Sequence, residues 1–427
     1  MERLLGFREF YPEPLPSKDA WSADARTHVF DQWRRVARQY GFREYDGPPL
    51  EPLDLYTAKS GEEIVGQLYN FSDKGERQVA LRPEMTPTLA RMIASSQRNY
   101  PKPIKWFAIP QLFRYERPQK GRLREHYQLN ADIFGEKDPA VDAELIALMI
   151  DTLRALGLTA DDFVVRLSSR NAWQDYFNSR GGKAEDTYAF FQVIDKLERE
   201  KPEVSAERLQ AIGFSLEDVQ RFIQEARPTE ELGSILSNLS ARGLGSFVKI
   251  DYNVIRGLAY YTGPVFEAFD RVGELRAIAG GGRYDNLVKL LSGGKVDLPA
   301  LGFGMGDVVL MELLRSRGLL PAFQSGIEVF CSIEDEVRRP ETLALVQALR
   351  DARRTVEYPI TPSKSDKQFK RALELKARWI VQVDSAGVKV KDLTTRQERV
   401  MSVADFLALA GGTQGGLSTL VPLTPSL

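Results

Sequence analysis

The stretch that decides the reading is Phe113-Arg114-Tyr115-Glu116-Arg117-Pro118-Gln119-Lys120-Gly121-Arg122-Leu123-Arg124-Glu125-His126-Tyr127-Gln128. Pro118 and Gly121 punctuate it as a loop between two strands, and the loop with its flanks holds five cations against two acids. Strand alternation places Arg114 and Glu116 on one face. A guanidinium fixed on a strand is a rigid, permanently charged, bidentate donor, which suits a phosphate. The same composition also describes a solvated hairpin tip, because exposed charge runs usually only face water. Spacing, not charge count, has to decide between the two.

Outward from this hairpin, composition narrows the chemistry. The chain has 427 residues, 43% hydrophobic and 27% charged, enough for more than one core. Its 58 Lys+Arg balance 59 Asp+Glu, which excludes a uniformly basic nucleic-acid coat and confines any polyanion site to one region. One cysteine, Cys331, and two histidines, His28 and His126, exclude an intramolecular disulfide framework and Cys-pair zinc ligation. They also argue against a His-rich metal site, so no transition-metal ligands are expected from the protein. Catalysis has to run on Arg, Lys, carboxylates, Gln and Tyr. No apolar stretch of signal-peptide length follows Met1, and no window of about 18 residues is free of charge. The expectation is a cytoplasmic protein with no membrane partner.

Periodicity sets the organisation. Residues 17–40 read as a helix capped by Ser17, with Trp21, Ala25, Val29, Trp33, Val36 and Ala37 on one face. Phe42 to Glu51, with Pro48 and Pro49, is extended. From there to about 165 short apolar runs read as strands, Lys105 to Tyr115 and Tyr127 to Gly135 among them, with a helix from Pro139 to Leu156 as the exception. A helical insertion is expected at about 172–245, after which strands resume at 247–252, 262–269, 278–285 and 301–305. Residues 319–326 have linker punctuation, and 326–410 alternate strand and helix as a second α/β unit, ahead of a Gly/Thr/Ser/Pro-rich tail at 411–427. The fold class is α/β in the broad sense (α+β). It comprises a first domain at 1–320 with the insertion, and a second at 326–410.

The hairpin matches, at every specified position, the pattern Phe-Arg-x-Glu-Arg-Pro-Gln-x-Gly-Arg-x-Arg-x-x-x-Gln, and so resembles motif 2 of class II aminoacyl-tRNA synthetases in the histidyl-tRNA synthetase form. Three more segments agree. Arg256-Gly257-Leu258-Ala259-Tyr260-Tyr261-Thr262-Gly263 is similar to the histidine-specific signature, Ala279 to Asp285 to the glycine-rich strand after it, and Leu81 to Thr86 to the loop for the substrate amino group. The resemblance covers 1 to about 410. It implies an antiparallel-sheet catalytic domain and an anticodon-binding carboxy-terminal domain.

The same resemblance implies the site. Arg114 and Arg256 would be catalytic. Glu84, Thr86, Gln128, Asp132, Tyr260 and Tyr261 would bind histidine, a zwitterion that needs acceptors for its ammonium and ring and walls that exclude water. Arg114, Glu116, Arg122, Arg256 and Gly304 would hold ATP with Mg²⁺. Arg117 and Gln119 would meet the acceptor end of tRNA(His). The implied activity is activation of L-histidine by ATP and its transfer to tRNA(His). Activation is an in-line displacement at the α-phosphate, so it needs positioned cations rather than a proton relay. Glycine clusters at Gly280 to Gly282 and Gly302 to Gly306 lack dinucleotide and P-loop spacing.

The chain departs from the family pattern at Val309, where motif 3 has an arginine over the nucleotide; Arg122 or Arg283 are candidate replacements. Ala259 stands for an aspartate, His126 for an aromatic residue, and Asp132 for a glutamate. The rival is a non-charging paralogue such as an ATP phosphoribosyltransferase regulatory subunit, which lacks the second domain. A homodimer is expected through the motif-1 helix and strand, residues 17–51, the helix carrying Trp21, Val29 and Trp33. Finally, Arg350 to Arg378 hold nine Lys or Arg against four acids. Lys367 and Lys370 there are expected to contact tRNA, on a helix capped by Ser365 or Asp366 that turns Phe369 and Leu373 inward.

Overall fold

A computed structural model describes residues 2–60, 62–119, 121–255, 261–272, 276–323 and 326–411. The chain divides into two compact units, 1–11 with 17–321 and 12–16 with 322–427.

In the first unit, helix α1 (Ala23–Gln39) starts later than its apolar period suggests. Trp21–Ser22 instead pair in parallel with Phe10–Tyr11, and the Ser22 hydroxyl, not Ser17, accepts from the Ala25 N–H at 3.1 Å. Ala25, Val29, Trp33, Val36 and Ala37 are buried, as the period predicts.

Among the described residues the central sheet has nine strands: β1 (Arg43–Glu44), β2 (Ile104–Ala108), β3 (Gln111–Phe113), β4 (Glu125–Phe134), β5 (Phe163–Ser169), β6 (Val248–Ile250), β7 (Pro264–Asp270), β8 (Ala279–Arg283) and β9 (Ala300–Gly306). Their order is β6-β5-β7-β8-β9-β4-β2-β1, with β3 paired to β4. Every neighbour from β5 to β2 is antiparallel. Only the edges, β6 on β5 and β1 on β2, are parallel.

Pro110, which has no N–H to give a ladder, divides the expected strand at 105–115 into β2 and β3. Besides the expected helix at 139–156, the stretch read as strands contains the α-helices Asp54–Ser60 and α2 (Thr86–Ser96). Leu89 and Ile93 of α2 pack with Trp106, Phe134, Val265 and Tyr284 in the core. Helix α3 (Pro139–Arg154) carries proline in its first turn and the Asp138 cap that such a start favours. Helix α4 (Asp307–Ser316) follows β9 directly.

The insertion is helical, as expected, running from Arg170–Ser179 to Glu230–Ala241. It has its own aromatic core, in which Trp173 and Tyr176 lie 4.8 and 4.7 Å from Phe222 and Phe190 lies 4.8 Å from Phe214.

The second unit contains β10 (Val329–Ser332), β11 (Val356–Glu357), β12 (Trp379–Asp384), β13 (Gly387–Asp392) and β14 (Glu398–Met401), ordered β11-β10-β12-β13-β14. Its helices include α5 (Arg339–Asp351) and α6 (Ser365–Glu374). Helix α6 exposes Lys367 and Lys370 as expected but does not turn Phe369 and Leu373 inward. Phe369 and Leu373 are 40% and 50% exposed, whereas Gln368 and Ala372 are buried. The cause is polar: the Gln368 amide accepts from the Ile333 N–H at 2.8 Å and donates to the Ile333 and Ser363 carbonyls at 2.7 and 2.8 Å. Burying those groups unpaired would be costly, so they fix the helix rotation. The cap position is Lys364, with no side-chain bond, rather than Ser365 or Asp366. A last helix, Val403–Gly411, takes in the first residue of the expected tail; 412–427 lie outside the described residues.

Candidate functional site

Strand β4 supplies the spine of the site. His126, Gln128, Asn130 and Asp132 alternate along it and share a face. Gln128, Asn130 and Asp132 open into a cavity of about 70 Å³ with Glu84, Thr86, Arg114, Tyr261 and Tyr284. Gln128 and Arg114, with Gly280 and Gly304, also wall a second cavity of about 200 Å³, which adds Glu116, Arg122, His126, Glu267 and Val309. The two spaces therefore meet at shared residues.

Room for these side chains comes from β9. Gly302 stands opposite Asp132 in the ladder. A Cβ at Gly302 would fall on the Asp132 carboxylate, and one at Gly304 would lie 2.6 Å from Gln128 Cδ, where no real contact is possible.

The small cavity is an acceptor site. The Tyr284 hydroxyl donates to Asp132 Oδ1 at 2.5 Å, while Asp132 Oδ2 and Asn130 Oδ1 are buried and have no partner among the described residues. Burial pushes the Asp132 carboxyl up to about 7, against the pull of the Tyr284 hydrogen bond. Buried acceptors of this kind call for a donor. An imidazole N–H or an ammonium supplies one.

The larger cavity carries cations. Arg114 and Glu116 lie just beyond β3 rather than on it, because the ladder ends at Phe113. Arg114 is held instead by its Nε, which donates to the Pro83 carbonyl at 3.0 Å, and by its backbone N–H, which donates to the Arg124 carbonyl at 2.9 Å. These bonds tie the hairpin to the Leu81 to Thr86 loop. Arg122 Nη1 pairs with Glu116 Oε2 at 2.7 Å. Burial, followed by the nearby Arg114, Arg8 and Arg122 charges, pushes the His126 imidazole down to about 3, so it is a neutral aromatic wall at ordinary pH.

Glu84, Thr86, Gln128, Asp132, Tyr261, Arg114, Glu116, Arg122 and Gly304 are thus brought together. Arg256 and Tyr260 lie outside the described residues. Arg117 and Gln119 are exposed on the hairpin, whose tip is closed by the paired backbones of Gln119 and Arg122 at 3.0 and 2.9 Å. Lys367 and Lys370 belong to the second unit, beside a hollow with Tyr358 and Ile360. Arg283 is no replacement for the motif-3 arginine: its guanidinium is buried against Asp142 at 2.6 Å and donates to the Glu136 and Asp138 carbonyls. The sequence reading missed Asn130, Tyr284 and Glu267. Asn130 was signalled by its place between Gln128 and Asp132. The tyrosine-carboxylate bond links residues 152 positions apart and has no local signal.

Class II aminoacyl-tRNA synthetases build their catalytic domain on this antiparallel plan, and the chain is of that class. A family model described as histidyl-tRNA synthetase matches residues 19–307. Histidine–tRNA ligase of Opitutus terrae is 45% identical over 424 residues, 93% of this chain and 95% of that one. The enzyme of that name from Thermoplasma volcanium is 36% identical over 95% of this chain and 97% of its own. A crystal structure of histidyl-tRNA synthetase from a Nostoc species superposes with a TM-score of 0.75 at 23% identity, over 93% and 97% of the two chains. The chain belongs to the histidyl-tRNA synthetase family. Among the described residues no helix is long and apolar enough to cross a membrane.

Proposed function

We propose that this chain is a histidine–tRNA ligase that forms histidyl-adenylate from L-histidine and ATP, then transfers histidine to the 3′ end of tRNA(His). The observation that carries the reading is the meeting of an acceptor-lined cavity and a guanidinium-lined cavity at Arg114 and Gln128. A carboxylate oxygen of histidine bonds to the α-phosphorus as the bond to the bridging oxygen breaks, and pyrophosphate leaves with that electron pair. A terminal ribose hydroxyl of tRNA then attacks the carbonyl carbon and gives up its proton, and AMP leaves. Arg114 opposes charge growing on the phosphate, and Asp132, Asn130 and Gln128 orient the amino acid. By resemblance Arg256 acts with Arg114, and Tyr260 with Tyr261. Arg117 and Gln119 meet the acceptor end, whose unpaired bases expose edges that such side chains read.

Among the described residues no cluster of three His, Cys, Asp or Glu could hold a metal alone. Glu116 and Glu267 on the cavity wall offer hard oxygen donors of the kind Mg²⁺ takes alongside phosphates, where it would offset triphosphate charge. The second unit is read as the anticodon-binding domain, and the protein as cytoplasmic. A homodimer through the segment 17–51 remains the economical assembly; Val29 and Trp33 are 0% exposed within the chain itself, so the contact would fall to other side chains of that segment. Leu50, within that segment, is exposed. Histidine-dependent ATP–pyrophosphate exchange tests the reading. Exchange with histidine alone among the amino acids is expected, and its absence in folded protein would favour the non-charging paralogue.

A further inference from the structure

We propose that Arg276 binds the terminal phosphates of ATP, taking the place of the arginine that the family pattern puts at Val309. The proposal rests on the nucleotide reading of the larger cavity. Val309 presents only methyl groups to that cavity, and Arg283 is committed to Asp142. Three chain segments converge at the cavity mouth. A Cβ built on Gly121 at the hairpin tip would stand 3.3 Å from Val309 Cγ2, 3.9 Å from Arg276 Cδ and 4.0 Å from Glu312 Oε2. Arg276 Cδ and Val309 Cγ2 therefore both approach one point at the hairpin tip, the exposed Arg276 side chain standing at the mouth rather than in the wall. Its neighbours Ala277 and Ile278 line the cavity, as do Gly121 and Arg122.

Electrostatics agrees with this geometry. Burial, then the Arg122 and Arg199 guanidiniums, push the Arg276 pKa down, and only Glu116 among its near charges pulls it up. Glu116 is itself engaged by Arg122 at 2.7 Å. Among the described residues Arg276 makes no ion pair within 4 Å, Glu312 included. Guanidiniums held near one another with too few carboxylates are stabilised by an anion placed between them. A triphosphate entering over Arg114 brings one.

Calorimetric titration of the full chain with ATP and with AMP isolates the contribution of the β- and γ-phosphates. Arg276→Ala should lower ATP affinity about ten- to a hundredfold, the span of one charged hydrogen-bonding group, and leave AMP affinity unchanged. Arg276→Lys should recover only part, because a point charge does not reproduce the planar fork. Val309→Arg introduced into the Arg276→Ala protein should restore some of the preference for ATP over AMP. An unchanged ATP affinity in Arg276→Ala, or equal losses for ATP and AMP, would overturn the proposal while leaving the nucleotide site standing. A wild-type protein that binds neither nucleotide would overturn both together.

Discussion

Asp132 shows how far a single carboxylate can be argued. Its ordinary pKa is near 3.9, and burial in the folded chain lifts it to about 7. Between those values the folded protein keeps a proton that the unfolded chain has lost. The stability this group contributes is therefore greatest in acid, falls as pH rises towards about 7, and is level beyond. Asp132→Asn cannot ionise, so melting temperatures measured from pH 4 to 8 should move in favour of the variant as pH rises; a difference independent of pH would remove the argument. The same variant should raise the KM for histidine at pH 8 about tenfold or more, the cost of one charged hydrogen bond. Residue positions such as this were legible because β4 is one unbroken strand and a period of two carries Gln128 to Asp132. The Tyr284 hydroxyl that completes the carboxylate was not, since nothing local in the sequence couples the ends of two different strands.

At the scale of elements, the hairpin is anchored from behind by the amino terminus. Arg8 pairs with Glu125 at 2.7 Å, where β4 begins, and with Asp307 at 2.9 Å, where α4 begins, all three side chains being at most 2% exposed. Asp307 Oδ1 also accepts from the Tyr127 N–H at 3.0 Å. One guanidinium thus sets the start of the strand that bears the site against the start of the helix that bears Val309. Arg8→Met would leave two carboxylates buried without their cation and should cost about 3–5 kcal/mol in urea unfolding. Adding Glu125→Gln and Asp307→Asn should return most of that loss; a single variant as stable as wild type would contradict the account. This clamp joins residues 299 positions apart and could not be read from spacing. The hairpin could, because its whole pattern lies in sixteen consecutive residues. Helix α6 failed for a third reason: its period allowed two rotations, and the buried amide of Gln368 selected the one that leaves Phe369 outside.

For the whole molecule, the proposed reading divides the labour between the two units, and the division is testable. Lys367 and Lys370 are exposed on α6, with Phe369 beside them and Lys391 Nζ 5.3 Å from its ring. If RNA lies there, Lys367→Glu with Lys370→Glu should weaken tRNA binding and flatten its logarithmic salt dependence by roughly one unit for each lost phosphate contact. Pyrophosphate exchange should be unaltered, since that chemistry is assigned to the first unit. Unchanged tRNA affinity and slope would return the helix to ordinary solvated surface. The shared wall at Arg114 and Gln128 has one last effect on turnover. Two substrates that arrive separately, each held by its own half of the site, become, once pyrophosphate has gone, one covalent adenylate gripped at both ends. Either grip keeps the other end at high local concentration, so release requires both to let go at once. The adenylate is thereby its own tether, kept on the protein until an RNA end arrives to take the amino acid away.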